Sequence, residues 1–138
     1  MLTTAEPTNT IALAGERGIV VVDTSVSPTL ASKIRELIVE QFGRADIFYL
    51  INTHSHLDHV GGNEAFADTL IIGHENCPAG ISEYTNLLPV YIEGEKRNIA
   101  RLEAALAAAD EQSEQATRMQ TDLAFAQLRL SEWEKDAN

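Results

Sequence analysis

Asn52-Thr53-His54-Ser55-His56-Leu57-Asp58-His59-Val60-Gly61-Gly62-Asn63 places three of the chain's four histidines within six residues, with an aspartate among them. His54 and His56 are two residues apart, so an extended backbone turns both imidazoles to one side. Asp58 and His59 follow where the chain is expected to enter a helix. A turn there sends those two side chains toward a second, nearby point. One loop can then serve two metal ions about 3.5–4 Å apart. Imidazole and carboxylate at that density suit zinc, with iron and manganese as competitors. A polar loop with histidines by chance is the competing reading. The order, the spacing and the strand–loop–helix context argue against it.

Working outward, Ile47-Phe48-Tyr49-Leu50-Ile51 is a continuous apolar run of strand length. Such a run is the pattern of a strand covered on both faces. Further upstream, residues 10–14 and 18–23 read as two strands joined by the turn Glu16-Arg17-Gly18. Ser27 is placed to cap a helix that has Pro28 at its first position. Leu30, Ile34, Leu37, Ile38 and Phe42 fall on one helical face, and Gly43 is a stop. Downstream of the histidine loop, a short helix is expected around Glu64-Ala65-Phe66 and a strand at Leu70-Ile71-Ile72. The first 75 residues therefore read as ββαβ–loop–αβ, an α/β pattern.

The second half has a different character. Pro78-Ala79-Gly80 and Pro89 mark an irregular segment. From about Glu93 the chain is rich in Ala, Glu, Gln, Leu and Arg, all strong helix formers. Ile99, Leu102 and Leu106 form one stripe; Met119, Leu123, Ala126, Leu130 and Trp133 form another. Asp110-Glu111-Gln112-Ser113 interrupts them, and Ser113 can cap the second helix. The pattern predicts an antiparallel helical hairpin; a single unbroken helix from Glu93 to Glu134 is the competing outcome. The organisation expected is an α/β region over 1–77 that carries the metal-binding loop. Residues 78–138, an irregular segment and hairpin, would be an insertion in the same domain.

The chain has 138 residues, 44% of them hydrophobic, and a formal net charge of −11. Phosphate backbones and anionic membranes repel such a surface, so a small-molecule substrate fits better than nucleic acid or membrane. Cys77 is the only cysteine, so no intramolecular disulfide forms. Residues 1–7 carry neither a basic nor an apolar signal region, which makes the cytoplasm the default location. No apolar run approaches the roughly 20 residues of a membrane span.

With Asn52-Thr53 before it and Gly61-Gly62-Asn63 after it, His54-x-His56-x-Asp58-His59 resembles the signature of the metallo-β-lactamase superfamily. Ile19-Val20-Val21-Val22-Asp23-Thr24 is similar to the strand-plus-aspartate segment upstream of that signature. Leu70-Ile71-Ile72-Gly73-His74-Glu75-Asn76 resembles the family strand that follows it. The resemblance covers roughly residues 8–77. It implies the N-terminal half of an αββα sandwich, here followed by an α-helical hairpin that covers the active-site mouth or joins two copies as a homo-oligomer.

By the same resemblance, His54 and His56 are ligands of a first zinc ion, and Asp58 and His59 of a second. A hydroxide held between the ions is the nucleophile, and Asp58 is the catalytic residue that orients it and takes up a proton. Asp23 and His74 would support the ligands by hydrogen bonds. The activity implied is hydrolysis of an ester, thioester, lactone, amide or β-lactam. The family also uses a third histidine, a bridging carboxylate and a last histidine from later strands. Here no histidine follows His74, and Asp110, Asp122 and Asp136 lie in helical stretches. The chain is therefore expected to be an incomplete N-terminal part, inactive alone and weak in zinc binding. The alternative is a catalytically inactive, truncated homologue that acts as a weak metal-binding or helix-mediated interaction protein.

Overall fold

Pro28 lacks a backbone N–H, which costs nothing in the first turn of a helix, where that group has no partner. A helix, α1 (Pro28–Phe42), starts there in the computed structural model, which describes residues 2–3, 8–110 and 112–136. The Ser27 side chain accepts a hydrogen bond from the Leu30 N–H at 3.2 Å, and Gly43 ends the helix at φ 62°. Both ends fall where the sequence places them.

The strands before α1 are β1 (Leu2–Thr3), β2 (Asn9–Gly15) and β3 (Gly18–Val22). Those after it are β4 (Ile47–Ile51) and β5 (Leu70–Ile72). They form one sheet in the order β1-β2-β3-β4-β5, antiparallel through β3 and parallel from β3 to β5. Ala31, Ile34 and Ile38 of α1 pack with Ile19, Val21, Ile47, Leu50 and Phe66 as the core. The register between β3 and β4 shifts after Ile19: Ile19 faces Ile47, but Val20 faces Tyr49. Phe48 is the extra residue of this bulge, and its ring meets Tyr49 edge-on at 4.6 Å. The bulge lets Ile47 and Leu50, three apart, enter the same core.

The expectation that β4 is covered on both faces is corrected. Phe48 is 55% exposed, as are Leu13 at 59% and Leu70 at 62%. An unbroken apolar run signals strand but does not by itself count the layers packed on it.

The segment expected to be irregular is also corrected. Residues 78–92 belong to a long helix, α3 (Cys77–Ala107), with Pro89 inside it. Pro78 lies in its first turn, where a missing N–H is harmless. Proline and glycine act locally as punctuation, but burial of Leu88 and Ile92 outweighs that preference.

The chain divides into two compact units, Met1–Thr85 and Asn86–Asn138. Within the second, α3 ends at Ala107 and α4 (Glu114–Asp136) follows. The break expected near Asp110 to Ser113 is present, although Glu111 lies outside the described residues, as do Met1 and residues 4–7. The Ser113 hydroxyl accepts from the Ala116 N–H at 3.0 Å, the cap that the sequence predicts. The helices run antiparallel: Glu95 pairs with Arg129 at 2.7 Å, Lys96 with Glu134 at 3.1 Å, and the Tyr91 and Trp133 rings lie 6.2 Å apart. Ala116, Ala126 and Trp133 are buried on α4. The apolar stripe of α3 thus begins well upstream of Ile99.

Candidate metal centre

The histidine loop leaves the end of β4 and is held by groups from the end of β3. Asp23 and Ser25 both adopt left-handed backbone conformations, φ 58° and 71°. For non-glycine residues this costs free energy, and such strain concentrates at functional sites. Here it turns three consecutive residues onto the loop. The Asp23 carboxylate, 5% exposed, accepts from the Thr53 N–H at 2.9 Å, the Thr53 hydroxyl at 2.7 Å and His59 Nδ1 at 2.8 Å. The Thr24 N–H donates to the His59 carbonyl at 2.8 Å, and its hydroxyl accepts from the Gly62 N–H at 3.1 Å. The Ser25 carbonyl accepts from the same Gly62 N–H. Asn52 and Asn63 exchange amide hydrogen bonds at 2.9 and 3.0 Å, which closes the two ends of the loop on each other.

Helix α2 (Leu57–Val60) is one turn inside this loop, started by His56 in extended conformation. Its shortness decides the placement of the side chains. His54 lies in a bend, not on the extended backbone expected, yet its ring still meets His56 at a centroid distance of 4.5 Å. The His54 and His59 rings are 4.1 Å apart. His54 Nδ1 is 3.0 Å from the Thr53 hydroxyl. His54 thus touches both other loop histidines, and Asp58 Oδ2 stands 3.4 Å from His59 Nε2.

That last distance bears on a metal ion. With Asp23 accepting from Nδ1, a neutral His59 ring would present a lone pair at Nε2, and the neighbouring Asp58 oxygen is also a donor of electrons. Two donors on one tetrahedral zinc, each about 2.0–2.2 Å from it, stand about 3.4 Å apart. A buried carboxylate on the far nitrogen is also the arrangement that fixes a ligating imidazole. The donor chemistry of Asp58 and His59 thus suits a divalent cation. Among the described residues, no group of three or more His, Cys, Asp or Glu side chains is arranged to hold one. The loop offers donors in pairs, without a closed cage.

His74 engages its own turn instead: Nδ1 accepts from the Asn76 N–H at 3.2 Å, and its carbonyl accepts from Cys77 at the start of α3. Thr24, Thr53, Asn52 and Asn63 are not metal-ligand residue types, so their roles do not show in the sequence. Polar residues beside a strand end are the available signal. Tyr84, whose ring lies 5.9 Å from His56, has no such signal, because a tyrosine in a helix is unremarkable until the fold brings it to the loop.

The chain is similar to several known proteins. Two curated relatives are the beta and alpha subunits of 2,4-dinitroanisole O-demethylase from Nocardioides sp. (strain JS1661). They are 39% identical over 67 residues and 38% identical over 68, matches covering 48% of this chain and 21% of each relative. The chain thus spans about a fifth of the length of the curated relatives it matches. A metallo-beta-lactamase from Hirschia baltica superposes with TM-score 0.49 at 22% identity, over 55% of this chain and 36% of that one. A HARLDQ-motif mutant of the Cronobacter sakazakii metallo-beta-lactamase gives TM-score 0.44 at 28% identity, over 55% and 30%. The family model described as metallo-beta-lactamase superfamily matches residues 3–126, so the chain belongs to that superfamily.

Proposed function

We propose that this chain carries the metal-binding loop of a metal-dependent hydrolase acting on a small carbonyl substrate: an ester, thioester, lactone, amide or β-lactam. The observation that carries the reading is the relay Asp23–His59–Asp58, in which a buried carboxylate fixes one face of an imidazole while the other faces a second carboxylate at 3.4 Å. His54 and His56 would hold one ion, and Asp58 and His59 another. Zinc is the favoured metal, two ions in a complete site, with iron or manganese as substitutes. A divalent ion at such a site would lower the pKa of coordinated water to about 7.

The chain's own residues do the rest. Asp23 keeps the proton on His59 Nδ1, so that Nε2 stays a donor. Thr53 donates twice to Asp23, which holds that carboxylate in place. Asp58 would orient the attacking water and take up its proton. With two donors for each ion, zinc binding by this chain alone is weak and reversible, and partner groups are needed for tight binding. The helical hairpin is a surface through which two copies would associate.

The test is calorimetric titration of the 138-residue chain with zinc, alone and as His56→Ala, together with assays of a thioester, a lactone and a β-lactam. Weak binding lost in the variant supports the loop. Zinc binding that ignores the substitution removes the reading. The O-demethylase relatives favour a second reading, cleavage of an aryl methyl ether within a multi-subunit enzyme. Addition of 2,4-dinitroanisole to the panel separates the two.

A further inference from the structure

The first two turns of α3 lie against the histidine loop, and three observations inside the first unit fix them there. Cys77, 7% exposed, donates its N–H to the His74 carbonyl at 2.8 Å and packs against Gly73 just after β5. Gly80, three residues on, lies directly on Ser55: a methyl group added to it would stand 2.2 Å from Ser55 Oγ and 2.6 Å from its Cβ. Tyr84, four residues further, sets its ring at 5.9 Å and 72° to the His56 imidazole. Spacings of three and four put all three residues on one face of the helix. Ser55 is the residue between His54 and His56, so the helix touches this pair at its middle and on one ring.

We propose that Tyr84 is a positioning residue for His56: its aromatic ring holds the imidazole edge-on, and Gly80 is the clearance that lets the helix come close enough for it to do so. The proposal rests on the metal-binding reading of the loop for its consequence, but the ring contact itself is independent of metal. His56 is exposed, on a loop with a bend at Ser55, and contact with His54 at 4.5 Å leaves its χ angles partly free unless a second ring packs on it. The edge-to-face contact supplies that packing, through a geometry that aromatic rings favour. The contact needs the ring and not the phenol oxygen, so phenylalanine should serve as well as tyrosine.

The experiment uses the full chain and two readouts. In the metal-free protein, the imidazole proton resonances of His56 are followed by NMR. Zinc affinity is then measured by competition with a chromophoric chelator. Tyr84→Leu should move the His56 resonances and weaken zinc about tenfold, the lower end of what loss of a ligand's supporting partner does. Tyr84→Phe should restore both. Gly80→Ala should copy Tyr84→Leu by lifting the helix off Ser55, and the added substitution Ser55→Gly should reverse that effect. If Tyr84→Leu loses its amide dispersion, the Gly80→Ala and Ser55→Gly pair carries the test alone. Unchanged His56 resonances in Tyr84→Leu or Gly80→Ala overturn the proposal, as does a Tyr84→Phe variant no better than leucine. Zinc affinity indifferent to His56→Ala would instead remove the metal reading, while the metal-free resonances would still decide the ring contact.

Discussion

The loop over residues 52–63 and the hairpin over residues 86–138 are stabilised in opposite ways. The loop has one helical turn of its own and is placed by polar groups from the end of β3, Asp23 on Thr53 and His59 and Thr24 on Gly62, while Asn52 and Asn63 close it on itself. The hairpin is two long helices joined by a capped turn, placed by apolar stripes and a few ion pairs. Hydrogen-bonded placement is directional, so removal of one acceptor disturbs several donors together. Stripe packing is tolerant, because neighbouring side chains share the burial. The loop should therefore be brittle and the hairpin forgiving.

The strongest way to break this contrast is Asp23→Ala. It removes the acceptor shared by the Thr53 N–H, the Thr53 hydroxyl and His59 Nδ1–H. Hydrogen bonds to a charged group contribute about 1.5–3 kcal/mol each, so a loss of about 3 kcal/mol or more in urea unfolding is expected. Zinc affinity should fall by about 10–100-fold. A loss below about 1 kcal/mol would show that the loop holds itself without β3. Gly62→Ala probes the same region sterically. The added methyl group would lie 2.3 Å from Ala31 Cβ and 2.6 Å from the Thr24 carbonyl. Overpacking of this kind costs about 1–3 kcal/mol, and thermal unfolding would read it.

The matching change in the hairpin is Ser113→Ala, which removes the acceptor of the Ala116 N–H. Helix caps of this type contribute about 0.5–2 kcal/mol, and the expected loss lies at the lower end because the turn is exposed to water. Loss of α4 helicity by circular dichroism, beyond its first turn, would show the hairpin to be as brittle as the loop.

The same contrast explains what was legible in the sequence. The loop announces itself because metal chemistry demands particular residue types at fixed spacing, and His54, His56, Asp58 and His59 meet that demand within six residues. Helix α1 was legible at both ends because Ser27, Pro28 and Gly43 each have a specific backbone reason to be there. The start of α3 was not, because Pro78, Gly80 and Pro89 are read locally as breakers, whereas Leu88 and Ile92 are buried by partners distant in sequence. Gly80 is there for its contact with Ser55, which no window of sequence contains. Nor did the apolar run in β4 tell that Phe48 faces outward, since the bulge that turns it depends on the register with β3.

The smallest expected effect sharpens the comparison at the edge of the loop. Arg35 of α1 donates to the Ala65 carbonyl and, through both terminal nitrogens, to the Asp68 carboxylate, each at 2.6 Å. Hydrogen bonding to this guanidinium holds the Asp68 carboxyl below its ordinary range, despite a small opposing effect of burial. A carboxyl lowered on folding stabilises the protein above its unfolded value, about 3.9, and that stabilisation is lost as pH falls through the lower folded value. Asp68 is 64% exposed, so solvent screens the pair and the contribution is about 0.2–1 kcal/mol. Asp68→Asn should therefore destabilise the chain slightly at pH 6. The difference from the unaltered protein should close as both are titrated into acid, and it should shrink in high salt. Arg35 keeps its bond to Ala65 in that variant, which isolates the charge from the backbone contact. A difference that stays constant from pH 6 into acid would assign the effect to packing around the Asn63–Phe66 turn, and would make this polar clamp resemble the hairpin more than the loop.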